Sequence, residues 1–243
     1  GQGVAYQGNG NNALDEDGED TPVMSGVEKW TLIVDQPRKI RTNYFDSNNI
    51  WKIDQKMIAS DLPINYQTSI AINLGYASGS EKSDWALMTT LIYDRVLSST
   101  EILQVEHHLW EKYMGGPSFD PTMGIPVKTN LTNFYHPYYF VNNVWADHSN
   151  SNNHISETDI SGNIQIGSSS GYGTLKTNSY IYGDVSSSLI ISPSVWPQNN
   201  NFTFFHITKY NGENKERIWS SINNNPNYFS GFHRTWGVGS SYQ

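Results

Sequence analysis

The sequence predicts an all-β fold, a two-sheet sandwich with one short helix near 99–113. Three observations carry this. Short runs rich in aromatic and β-branched residues recur at close spacing, with turn residues between them. Aromatics make up 13% of the chain and charged residues only 16%, beside many Asn, Ser, Thr, Gly and Tyr. A single stretch repeats its apolar residues at helical spacing.

Taken in order, residues 1–29 read as loop, with Gly/Asn at 8–12 and acidic residues at 15–20. Strands are expected at 30–35, 39–44, 50–53 and 68–74, each closed by turn residues. Residues 85–93 are apolar or Thr on both faces, as in a strand buried on two sides. Ser98 and Glu101 then form a capping box, each side chain placed to meet the other residue's backbone N–H. Ile102, Val105, Leu109, Trp110 and Tyr113 give one apolar stripe, and Gly115-Gly116-Pro117 stops the helix. Residues 115–128 read as a Pro/Gly linker. Beyond it, strands are expected at 134–141, 179–182, 189–192, 202–210, 217–220 and 228–233.

Several classes are set aside. The net charge is −8, and Arg38, Lys39 and Arg41 form the densest basic group, so no nucleic-acid partner is expected. There is no cysteine, and a domain of this size does not need disulfides. No run reaches the ~18 apolar residues of a membrane-spanning helix. The polar, aromatic composition suits an extracellular domain with long loops.

Particular motifs add a family resemblance. Ser83-Asp84-Trp85 leads into a strand ending Tyr93-Asp94-Arg95; Leu97-Ser98, Glu101-Ile102 and Lys112-Tyr113 follow. This stretch resembles the end of the concanavalin A-like (laminin-G-like) jelly-roll repeat domains of large-virus and microbial surface proteins. Trp145-x-Asp147-x-Ser149 resembles that family's early Trp-Asp-Ser-Gly-Asn turn, with Asn150 in place of the glycine. Phe204–Tyr210, Asn211-Gly212, Arg217-Ile218 and Phe229–Phe232 resemble its middle strands. The resemblance implies a concanavalin A-like jelly roll whose halves run in permuted order, 1–114 matching the back half and 129–243 the front half.

The two ends also overlap. Gly1, Gly3, Tyr6 and Gln7 match Gly237, Gly239, Tyr242 and Gln243 at one offset, the mark of an array. Either each half is completed by a neighbouring unit, or the two halves close on each other as a permutant. The linker reaches ~45 Å, enough for both. The first alternative predicts a non-enzymatic structural or adhesive module, a repeat unit of a surface filament on a cell or virion, with other copies of itself or adjacent repeats as partners. The second predicts a self-contained lectin-like domain that binds cell-surface glycans.

Candidate sites follow from these readings. A glycan site needs an aromatic platform with amides or carboxylates on loops: Trp145, Asp147, Asn150, Asn152 and Asn153, with Trp236 and Tyr242 on another loop. The same Trp-x-Asp turn also reads as structural. Asp15, Asp17 and Asp20 alternate around Gly18 and could offer oxygens to Ca²⁺, or form a solvated acidic turn. Asn130 and Asn201 open N-glycosylation sequons. The paired carboxylates of a glycosidase are not evident in the pattern, so no enzyme is expected.

Overall fold

The computed structural model describes residues 12–14, 20–22, 30–37, 39–45, 51–57, 69–74, 81–115, 124–171, 174–192, 196–197, 201–222 and 229–230. A hairpin of β1 (Asn12–Leu14) and β2 (Asp20–Pro22) opens the chain, where the sequence suggested loop alone. Then come β3 (Thr31–Gln36), β4 (Lys39–Phe45), β5 (Trp51–Met57), β6 (Ile70–Ile72), β7 (Trp85–Tyr93) and helix α1 (Ser99–Leu109), which continues as a wider turn over Trp110–Gly115. The second stretch holds β8 (Leu131–Val141), β9 (Val144–Asp147), β10 (Ile160–Ser161), β11 (Gln165–Gly171), β12 (Thr174–Gly183), β13 (Ser188–Ile191), β14 (Thr203–Tyr210), β15 (Trp219–Ser221) and β16 (Phe229–Ser230). Strand β11, a Gly/Ser run without β propensity, is absent from the sequence expectation; it forms because β12 offers it a paired edge.

The fold is an all-β sandwich of two antiparallel sheets, as expected. The smaller sheet has the order β10-β13-β6-β15-β16, the larger β11-β12-β7-β14-β3-β4-β5, with β8 and β9 branching from β7. Both sheets mix strands from the two stretches. Strand β14 lies between β7 and β3, and β6 lies between β13 and β15.

Strand β7 is the centre of the large sheet. Strand β14 pairs along its whole length on one edge. Strands β12 and β8 share the other, β12 at Trp85–Leu87 and β8 at Thr90–Tyr93. All nine of its residues are buried. Trp85, Leu87 and Ile92 face the small sheet, with Ile70, Ile72, Leu189, Ile191 and Trp219. Ala86, Met88, Leu91 and Tyr93 face α1, with Ile102, Val105, Leu109 and Tyr113. The alternation changes phase because Thr208 pairs with Leu87 and Ile207 with Thr89, leaving one extra residue in β7. The continuous apolar run is thus a strand covered on both faces, by a sheet on one and a helix on the other. One of its two threonines serves the interior as well: Thr89 donates from Oγ1 to the Tyr135 carbonyl at 2.9 Å. Each large side chain buried here contributes roughly 1.5–3 kcal/mol as an upper bound.

The entry to β7 is tied by polar side chains. Asn73 is buried with φ +60, a backbone that Asn tolerates better than most residues. Its amide nitrogen donates to the carbonyls of Ser83, Asp184 and Ser187 at 2.9–3.0 Å, and its Oδ1 accepts from the Ser83 N–H at 2.8 Å. Ser83 Oγ donates to the Arg217 carbonyl and accepts from the Glu216 N–H. Asp84 Oδ2 accepts from the backbone and side-chain amides of Asn214, both at 2.9 Å. A Cβ on Gly212 would lie 2.5 Å from that oxygen, so the turn requires glycine. Trp85 donates from Nε1 to the Ser187 carbonyl. Three consecutive residues therefore fix loops at 73, 184–187 and 211–217.

Helix α1 begins as its sequence dictates. The Ser98–Glu101 capping box is formed, and Glu101 also holds Arg95 by two hydrogen bonds, at 2.6 and 3.0 Å. Those contacts keep the Glu101 carboxyl at about 2, the Arg95 bond first among them. No helix among the described residues is long and apolar enough to cross a membrane.

An Asn73→Ala variant loses several buried hydrogen bonds and a left-handed-tolerant residue together. It should be destabilised by about 2–4 kcal/mol in urea unfolding. Asn73→Gly, which relieves only the backbone, should recover a small part. A loss below ~1 kcal/mol for Asn73→Ala would contradict the role given to this amide.

Candidate functional site

The structure separates the residues expected to hold a glycan. Trp145 is 0% exposed, packed against Tyr135 with ring centroids 5.2 Å apart, and donates from Nε1 to the His136 carbonyl at 2.8 Å. Its ring has no face open to a sugar. Asp147 is buried and its carboxylate is occupied by the chain: Oδ1 accepts from the N–H groups of Phe134 and Ser149, and Oδ2 from Ser149 Oγ and the Asn153 N–H, at 2.8–3.0 Å. The Trp-x-Asp turn is therefore the structural alternative, and these two residues are withdrawn from the candidate site. Asn153 is half-buried and donates from Nδ2 to the Thr132 carbonyl. Asn150 and Asn152 are exposed, at φ +79 and +57, on the turn that Asp147 organises.

Trp236 and Tyr242 lie outside the described residues, as do Asp15 and Asp17. Asp20 lies in β2, paired with Leu14. Both sequon asparagines, Asn130 and Asn201, are exposed. Their threonines are engaged: Thr132 Oγ1 donates to the Ile92 carbonyl, and Thr203 Oγ1 donates to Arg95 and accepts from Leu97 N and Gln36 Nε2.

A different aromatic surface emerges beside that turn. Tyr135 pairs with Asp147 and Phe140 with Trp145, so five steps of β8 oppose two of β9. The excess bulges out at His136-Pro137-Tyr138-Tyr139, where proline removes a ladder donor. The bulge re-aims the side chains. Tyr138 is 66% exposed. Tyr139 stacks on exposed His148 with ring centroids 3.3 Å apart, and Tyr138 stands at 89° to Tyr139, 5.2 Å away. The three rings make an open corner, with the Asn150–Asn152 turn following His148 in the chain.

The corner has a rigid floor. His136 is buried, accepts at Nδ1 from the Tyr138 N–H at 3.1 Å, and lies against Tyr113 at 5.6 Å. The buried Lys112 ammonium sits 5.5 Å over Phe134 and 5.7 Å over Tyr113. Burial, then Lys112 and His148, push His136 down to about 3. Burial also lowers His148, partly offset by Asp147. The His136 imidazole in the floor is thus neutral at physiological pH, beside the Lys112 ammonium. Further out, β8 and β9 join at Asn142-Asn143, both at positive φ as a tight hairpin turn requires, leaving Val141 59% exposed.

Such a corner can stack a flat, partly apolar ring. A Ser–His pair does exist elsewhere, His206 Nε2 to Ser230 Oγ at 3.0 Å, but both residues are 0% exposed and the imidazole is stacked on Phe204. Among the described residues no group of three or more His, Cys, Asp and Glu is placed to hold a metal. Sequence reasoning missed Tyr138, Tyr139 and His148 as a unit. Pro137 in the middle of an aromatic strand was the available signal.

No protein-family model matches this chain, and no curated protein or solved structure matches it.

His136 and His206 give the domain a defined acid response. Unfolded, each binds a proton near 6.5; folded, each binds one only near 3. Between those values the unfolded chain holds more protons, so stability falls as pH drops from 6.5 towards 3. The urea midpoint should decline already between pH 6.5 and 5, and a His136→Gln/His206→Gln double variant should show a flatter slope over that interval. Equal slopes in the two proteins would contradict the assignment.

Proposed function

We propose that this chain is a non-enzymatic extracellular adhesion module, a concanavalin A-like jelly roll that binds glycans through the Tyr138–Tyr139–His148 corner. The observation that carries the reading is the bulge at Pro137. It turns the Tyr138 ring out to solvent, 66% exposed, from a strand that gives Leu131, Tyr135 and Phe140 to the core. Pyranose rings present an apolar C–H face that stacks on tyrosine, and the exposed Asn150 and Asn152 amides suit sugar hydroxyls. The self-contained form is supported by the strand pairing, in which each stretch of the chain supplies the neighbours the other lacks. The non-enzymatic form is supported by the use of Asp84 and Asp147, whose carboxylates hold loops together.

A repeat unit of a surface filament is the second reading, with other copies as partners. The observation favouring it is β11, which pairs with β12 alone among the described strands.

On a glycan array the chain should bind a neutral oligosaccharide, and Tyr138→Ala should weaken that binding about tenfold, equivalent to ~1.4 kcal/mol, with unfolding unchanged. Tyr139→Ala should weaken it at least as much. Binding by Tyr138→Ala equal to that of the parent chain, or no glycan bound at all, would overturn the proposal.

A further inference from the structure

The two long edges of the large sheet differ in chemistry. At one end β5 reads Trp-Lys-Ile-Asp-Gln-Lys-Met, with a charge at every second position. Two copies of β5 paired antiparallel about Asp54 would set Lys52 opposite Lys56, a like-charge contact that disfavours self-pairing. At the other end β11 reads Gln-Ile-Gly-Ser-Ser-Ser-Gly, with neither a charge nor a proline. The small sheet ends in two-residue strands, β10 and β16, too short to template a partner.

One face of strand β11 is also uncovered. Ile166, Ser168 and Ser170 share that face and are all exposed, Ile166 at 53%, while Tyr180 and Tyr182 lie against the other face. Its inner edge is held firmly: six residue pairs join it to β12, and the Tyr180 ring lies across Gly167, where a Cβ would come within 2.6 Å. An ordered strand whose outer edge is unpaired among the described residues presents a row of backbone donors and acceptors, and an extended chain is what satisfies them.

We propose that β11 is a strand-addition site for β11 of a second copy, joining two large sheets about a twofold axis at Ser168. The sequence fits itself in that register. Gln165 falls opposite Gly171, Ile166 opposite Ser170, Gly167 opposite Ser169, and Ser168 opposite its own copy. No charges meet, which matters for a chain of net charge −8, and the small side chains let the backbones approach. A twofold contact of this kind is isologous and closed. It pairs two whole sandwiches and is independent of glycan binding at the corner.

The absence of cysteine from the chain makes the test clean. At the self-paired position the Cα atoms of an antiparallel ladder lie ~4.5–5.5 Å apart, within disulfide reach. A Ser168→Cys variant, oxidised with copper-phenanthroline, should become a covalent dimer well before a Ser151→Cys control on an exposed turn. By light scattering the parent chain should show twice 27.5 kDa at high concentration, and Ser168→Lys, which sets two ammonium groups opposite each other, should shift it to a monomer. A parent chain monomeric throughout, cross-linking no faster than the control, or a dimer undisturbed by Ser168→Lys would each overturn the inference. Loss of glycan binding without loss of the dimer bears on the corner alone.

Discussion

One strand constrains the whole molecule. Strand β7 is buried on both faces and paired on both edges, so every other layer must be placed around it. Its partners come from residues 131–210, far along the chain, so the local sequence alone cannot fix it. What holds it in place is its entry. Asn73, Ser83, Asp84 and Trp85 satisfy backbone groups on two loops of the second stretch. In a dry interior such bonds are costly to leave unmade, so the knot specifies register as well as adding stability. The capping box and the Arg95–Glu101 pair then send the chain back over the sheet as α1, which seals the second face.

The motif that suggested a family, Ser83-Asp84-Trp85, thus has a physical meaning in this chain. The serine and aspartate are loop anchors, and the tryptophan is both core and donor. Trp145 and Asp147 repeat the arrangement at the second turn, a buried indole bonded to a carbonyl and a carboxylate gathering four donors. Polar residues of this kind look functional in a sequence, since they break an apolar pattern at a loop. Here they are internal fasteners, and the corner proposed for recognition lies on what reads as ordinary strand.

Legibility in the sequence followed the range of the forces involved. The apolar run at 85–93, the helix cap and the strand at 203–210 were readable because propensity, periodicity and burial agree there. Strand β11 was not, since Gly and Ser carry no β signal and only pairing with β12 orders them. The aromatic corner was half visible: Phe134–Val141 announced an aromatic strand, but which rings face out depends on where the ladder breaks against β9. A single slipped residue exchanges the faces of a strand, and the bulge at Pro137 introduces several. Trp145 and Asp147, chosen from sequence for a glycan, are instead buried as fasteners of their turn, while Asn150 and Asn152 lie exposed on it.

The central claim is that the two stretches of one chain share a single sandwich about β7. Hydrogen exchange followed by mass spectrometry on serially diluted protein addresses it most directly. Amides of 85–93 and 203–210 should be the slowest in the molecule, exchange together through global unfolding, and keep the same protection at every dilution. Protection of 85–93 that disappears on dilution, or that is lost independently of 203–210, would mean that the strands are completed by another molecule and would contradict it.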